Sequence, residues 1–273
     1  MFSVVLSEER RGEPRLILAD FEAELGSIEA EYRLTIRSFE AAFNQSLERA
    51  ELSFNPEHHD WGDVYYEVQK EIGFAIDDAV AHAGMSALSR SMFLAEVTMA
   101  RMAATVFTDP TAIVYDGDRL WTRKLEGAFY YKRFLREPLR TRDAVFEAVR
   151  ELRDLYAHGY GRPVTLARLD YLGMRLHQAG VAGEITEEEQ QLGYEGEAFF
   201  FGPHGTYSAS ERAVTTPWGL PPSPHVSPLG VHRLLRGIRQ HVTRAARAVE
   251  SGVIDDSVIG ETRFARLVWG DYK

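Results

Sequence analysis

Between Leu18 and Leu47 the apolar residues fall at Leu18, Phe21, Leu25, Ile28, Tyr32, Ile36, Phe39, Phe43 and Leu47, in steps of three and four throughout. A strand cannot produce that spacing, because its side chains change face at every residue, whereas a helix returns to one face about every 3.6 residues. The stripe predicts one long helix from Pro14, a residue suited to a first helical turn, to about Leu52. A long helix with an apolar seam must bury that seam against other elements, so the chain is expected to be mainly α.

The segments that follow carry the same signals. Asn55-Pro56-Glu57-His58-His59 reads as a loop, and Asp60, with Asp63 three residues on, as the cap of a second helix. That helix is expected to reach about His82, with Gly84 as the break before another apolar stretch from Ser86 to Phe107. Thr108-Asp109-Pro110 is a stop, and residues 112–121 suggest a small hairpin or an irregular connection. Helix resumes with Thr141 as its cap and continues to His158, and a shorter helix is expected from Thr165 to Gln178. Residues 181–227 change character. They hold an acidic run (Glu187, Glu188, Glu189) and an aromatic run (Phe199, Phe200, Phe201), and five of the eleven prolines lie between Pro217 and Pro228. This is a loop-rich insertion with room for one small hairpin. Ser227-Pro228 then opens a final helix to about Ser251. The organisation expected is a helical core over 1–163, an inserted helix plus loop-rich segment over 164–227, and a closing helix and tail over 228–273.

Composition narrows the chemistry. The absence of cysteine from all 273 residues removes disulfide frameworks, thiolate zinc sites, iron–sulfur clusters and thiol nucleophiles, and a reducing, cytoplasmic location is the natural expectation. The most apolar stretch, Met92 to Phe107, carries Glu96 and Arg101, so no membrane partner is expected. The net charge of −10 argues against coating nucleic acid by bulk attraction. Yet 27 of the 31 cations are arginine, the better side chain for phosphate geometry, and their placement matters.

One arginine stands in a chemically suggestive string. In Thr141–Gly161 the apolar stripe is Val145, Phe146, Val149, Leu152 and Tyr156. Asp154 and His158, one turn apart, fall on the opposite side, and Arg153 lies at the edge between the two. A histidine with a near-neutral pKa, a carboxylate one turn earlier and an adjacent guanidinium are the parts for acid–base work on a phosphodiester. The alternative is an ordinary solvated helix end, where a histidine also gains from the helix dipole.

Arg153-Asp154-Leu155-Tyr156-Ala157-His158-Gly159 resembles the R-x4–6-H motif of HEPN domains, in which a polar residue follows the arginine. The resemblance covers the motif tightly and the helix order loosely. It implies an antiparallel helical bundle and a metal-independent ribonuclease of toxin or antiviral-defence type. It further implies a homodimer whose two motifs line one cleft, and an antitoxin or defence-system partner. On this carry-over Arg153 stabilises charge on the phosphate, His158 is the general base or acid, and Asp154 orients His158. Asp154 departs from the commoner asparagine and adds negative charge near the phosphate. A catalytically inactive scaffold binding RNA or a protein partner is the alternative. No cofactor is expected, since no Walker motif, nucleophile elbow or dinucleotide fingerprint occurs, and the resemblance implies that no metal is needed.

The other candidates concern binding. Tyr160, just past the helix end, is placed to stack on an unpaired base. On the last helix Arg233, Arg236, Arg244 and Arg247 fall opposite the apolar face of Leu234, Leu235, Ile238, Val242, Ala245 and Val249, a basic stripe in an acidic chain whose ordinary reading is a solvated helix face and whose alternative is a docking strip for RNA phosphates or an acidic partner. A second Arg-to-His spacing, Arg236 to His241, is rejected as a motif because Gly237 and Arg239 between them do not match the motif's apolar middle.

Overall fold

The computed structural model describes residues 13–52, 54, 60–104, 144–159, 166–196, 198–202, 206–208, 213–215 and 223–251. The side chains of 156–159 and 199–225 are not among what it describes. The hairpin or connection expected at 112–121, the cap at Thr141 and Tyr160 lie outside the described residues.

The fold is mainly α. Its helices are α1 (Glu13–Leu52), α2 (Trp61–Ile72), α3 (Ile76–Ala104), α4 (Ala144–Gly159), α5 (Leu166–Gln178), the short α6 (Glu187–Gln191) and α7 (Pro228–Ser251). Four short strands interrupt them before α7: β1 (Phe199–Gly202), β2 (Thr206–Ser208), β3 (Ala213–Thr215) and β4 (Ser223–Val226). β1 pairs antiparallel with β4, Phe199 opposite Val226, and β2 pairs antiparallel with β3, Thr206 opposite Thr215. The loop-rich insertion thus holds two nested strand pairs and a helical turn.

The chain divides into two compact units, one of Met1–Gly26, Arg90–Val149 and Leu235–Lys273, the other of Ser27–Ser89 and Arg150–Leu234. In the first unit Phe21, Leu25, Met99, Phe146, Val149 and Ile238 are buried, with the ring of buried His241 4.9 Å from Phe146. Gly237 lets α7 approach α4: a Cβ there would stand 2.7 Å from Val145 Cγ2. In the second unit Tyr32, Leu88, Leu152, Leu169, Leu172 and Leu234 form the core.

Two departures from the helical reading have identifiable causes. The α1 stripe begins at Ile17 rather than Leu18 and is buried only as far as Ile36; Phe39, Phe43 and Leu47 are half-covered. The break after α2 falls at Gly73, not Gly84. Asp60 and Asp63 form the expected reciprocal cap, but Gly73 ends the helix in the left-handed conformation (φ 81°), its N–H donating to the Gln69 carbonyl. α3 runs unbroken through Gly84. Glycine serves packing at that position, since a Cβ would come within 2.8 Å of Val231 Cγ2.

Candidate functional site

α4 carries the motif. Its apolar positions Val145, Phe146, Val149 and Leu152 are buried as the spacing requires, joined by Ala148 and Leu155. That broad buried arc leaves Arg153 and Asp154 on its polar side, each with 37% of its side chain exposed. The wheel alone makes this side outward-facing. In the structure it is half-covered instead, and Arg150 and Glu151 on the same side are half-buried as well, Glu151 meeting Arg168 of α5 at 3.7 Å. Nothing in the motif's pattern singles out Arg150 or Glu151, although both lie within a turn of Arg153.

Arg153 Nη2 donates to Asp154 Oδ1 at 3.4 Å, a long contact between neighbours. At that exposure and distance its worth is modest, well under about 1 kcal/mol. It does, however, turn the carboxylate toward the guanidinium, a partner the motif reading did not give it. His158 is the penultimate residue of α4, one turn beyond Asp154 along a continuous helix, and its side chain lies outside what is described. Tyr156, expected in the core, is in the same position, and Tyr160 lies past the described end. The arrangement thus brings a half-buried cation–carboxylate pair to the turn before the helix end that carries His158.

The basic stripe needs a correction. Arg236 is half-buried and Arg244 and Arg247 are exposed, whereas Arg233 is buried. Its guanidinium fills five donor positions. Nε donates to Glu189 Oε1 (2.8 Å), Nη2 to Glu189 Oε2 (2.6 Å) and to the Glu184 carbonyl (2.7 Å), and Nη1 to the carbonyls of Val181 (2.7 Å) and Gly183 (3.0 Å). The helical wheel puts Arg233 on the polar side, but residues 181–196 fold over the first turns of α7 and enclose it. Arg233 is therefore an internal anchor, and it does not belong to an exposed strip. Arg239, at the edge of the stripe, is engaged by Glu22 at 2.8 Å.

Glu189 completes that anchor, although along the chain it stands only as one residue of an acidic run. Thr186 and Glu189 form a capping box at the start of α6, the Glu189 N–H donating to Thr186 Oγ1 (3.2 Å) and the Thr186 N–H to Glu189 Oε2 (2.9 Å). The Arg233 hydrogen bonds, more than offsetting burial, hold the Glu189 carboxyl down at about 2, below its ordinary 4.5. Beside it, Tyr194 stacks on His232 at 4.7 Å.

The motif residues Arg153, Asp154 and His158 belong to the second unit, and Arg236, Arg244 and Arg247 to the first. Among the described residues no helix is long and apolar enough to cross a membrane. Comparison with protein-family models, with curated proteins and with solved structures finds no match to this chain.

Proposed function

We propose that the chain is a HEPN-like, metal-independent endoribonuclease of toxin or defence type, acting in the cytoplasm as a homodimer. The observation that carries this reading is the Arg153–Asp154 pair, half-buried on α4, one turn before His158 in the last turn of the same helix. In the reaction, His158 takes the proton of an RNA 2′-hydroxyl, and the 2′-oxygen bonds to the adjacent phosphorus. The phosphorus–5′-oxygen bond breaks, the 5′-oxygen leaves with the proton that the His158 imidazolium returns, and a 2′,3′-cyclic phosphate remains. Arg153 offsets the extra negative charge of the pentavalent transition state. A half-buried guanidinium does this better than a fully solvated one, because its field is less screened.

The contact from Arg153 to Asp154 favours a second reading, an RNA- or protein-binding scaffold that does not cut, because it partly neutralises the cation before substrate arrives. In that case binding rests on Arg236, Arg244 and Arg247. The two readings separate cleanly. Purified protein incubated with total RNA in EDTA should fragment it, and His158→Ala should not. If His158→Ala cuts as well as wild type, the ribonuclease assignment at this motif is wrong. If wild type binds RNA without cutting and charge reversal of Arg236, Arg244 and Arg247 abolishes binding, the scaffold reading holds.

A further inference from the structure

Arg175, in the last turn of α5, is half-buried and has no carboxylate partner among the described residues. The chain has 41 Asp+Glu against 31 Lys+Arg, and other covered arginines are met by one of them, Arg233 by Glu189 and Arg239 by Glu22. The carboxylate that α5 itself carries, Asp170, stands five residues away, about 140° around the helix. What holds the Arg175 guanidinium is neutral. Nη2 donates to the Tyr171 hydroxyl (2.8 Å), Nη1 to Gln178 Oε1 (3.0 Å), and Cζ lies 4.9 Å from the centre of the Tyr171 ring. These contacts, at steps of four and three, put the three side chains on one face of α5. Nor does Arg175 serve to cap the helix end. The carbonyls of Arg175, Leu176 and His177 accept from the N–H groups of Ala179, Val181 and Gly180, and Gly180 turns the chain at φ 70°.

These contacts decide what the cluster can still bind. Arginine has donors only, so the oxygens of Tyr171 and Gln178 both act as acceptors toward it. What remains is the Tyr171 O–H, the Gln178 amide NH2 and one N–H on each terminal nitrogen of Arg175, none of them with a partner among the described residues. Nε is buried without a hydrogen-bond partner, so the two terminal nitrogens alone face a ligand. The cluster is therefore a row of donors around one positive charge, with the hydroxyl on one side of the guanidinium and the amide on the other. Such a row suits an anion that accepts in several directions. A phosphate group does so, because its oxygens are tetrahedral, whereas a carboxylate keeps both of its oxygens in one plane. A half-buried cation without a counter-charge also gains more from an anion than a solvated one, since the field between them is less screened. Tyr171 and Gln178 hold the fork in place beforehand, which lowers the entropy lost on binding. We propose that Tyr171, Arg175 and Gln178 form a binding site for a phosphate group, carried by an RNA strand or by a small phosphate ester. The site uses no residue of α4 and stands whether or not the motif there cleaves RNA.

Isothermal titration calorimetry of the full chain at fixed ionic strength tests the site. The probes are inorganic phosphate, a nucleoside 5′-monophosphate, a 2′-O-methylated RNA strand that the proposed chemistry cannot cut, and glutarate as the carboxylate control. The phosphate probes should bind wild type, and glutarate should bind far more weakly. The most informative variant is Gln178→Glu. Gln178 is exposed, and the substitution keeps an acceptor for Nη1 while giving Arg175 the carboxylate it lacks. Phosphate binding should fall roughly tenfold or more, the loss expected when a charge-assisted contact is blocked, with a thermal midpoint equal to or above that of wild type. Tyr171→Phe, which keeps the ring and removes the O–H, should weaken binding severalfold. An RNA affinity that falls in Gln178→Glu makes the RNA backbone the source of the phosphate. An RNA affinity that holds, beside a monophosphate affinity that falls, makes a small ester the source. The proposal is overturned if no phosphate probe binds, if glutarate binds as tightly, or if Gln178→Glu binds every phosphate probe like wild type.

Discussion

Replacing Arg233 by methionine is the sharpest structural perturbation available, because Met keeps an unbranched apolar stem and removes every donor. Five hydrogen bonds disappear together: two to the buried Glu189 carboxylate and three to the carbonyls of Val181, Gly183 and Glu184. The Thr186 N–H remains on Glu189, but the carboxylate loses its counter-ion while staying covered. Removing one partner of a buried ion pair costs about 3–5 kcal/mol, a large part of the roughly 5–15 kcal/mol that holds a domain folded. With a urea dependence near the upper end of about 1–3 kcal/mol per molar, the midpoint should fall by roughly 1 M or more. Far-UV circular dichroism reads the transition. Arg233→Met combined with Glu189→Leu should recover much of the loss, since the double variant buries no charge. A single-variant midpoint within about 0.2 M of wild type would refute the anchor, given that uncertainty in such measurements is of that order. A loss of RNA affinity without loss of stability would return Arg233 to the basic strip.

Three further outcomes follow from the same packing. Because the folded Glu189 carboxyl titrates at about 2 against 4.5 unfolded, its contribution is present above pH 4.5 and is lost as pH falls toward 2. The full contribution is about 3 kcal/mol, of which about 2 kcal/mol is gone by pH 3; urea midpoints at pH 6 and pH 3 should converge in Glu189→Gln relative to wild type. Gly230→Ala would place a Cβ 1.9 Å from the Ala198 carbonyl oxygen, so the backbone must move, and a loss of roughly 1–3 kcal/mol or more should appear in thermal melts. The buried hydroxyl of Tyr32 has no hydrogen-bond partner among the described residues, and burial raises its pKa well above the ordinary tyrosine value. Tyr32→Phe should therefore be neutral, or stabilising by up to about 1 kcal/mol, and should blunt the loss of stability that wild type shows as pH rises through the tyrosine range.

What the sequence made legible was what local periodicity and capping determine. The 3–4 spacing of Phe21, Leu25, Ile28, Tyr32 and Ile36 gave α1, and Asp60 with Asp63 gave the start of α2. The face of Leu234, Ile238, Val242 and Val249 gave the buried side of α7. What stayed hidden depends on residues distant in the chain. A wheel ranks Arg233 with Arg236 and Arg247 because it cannot see that residues 181–196 fold over the first turns of α7. One local signal was there: Thr186-x-x-Glu189 is a capping box, so the acidic run was a helix start and not merely a solvated patch. Gly73 and Gly84 look alike in sequence. One caps a helix with positive φ and the other makes room for Val231, a distinction made by the tertiary partner alone. The same limit applied to α4, where Arg153 and Asp154 follow the polar side of the wheel but stand half-covered.

The central claim is that the turn from Arg153 to His158 cleaves RNA through its own 2′-hydroxyl, and the ends of the products test it most directly. A labelled RNA incubated with wild type in EDTA should yield fragments ending in a 2′,3′-cyclic phosphate, while a DNA strand of the same sequence stays whole. His158→Ala should lower the rate by about 10²–10⁴-fold, the usual contribution of a positioned acid–base group. Cleavage that leaves 3′-hydroxyl ends, or that continues undiminished in His158→Ala, would contradict the account.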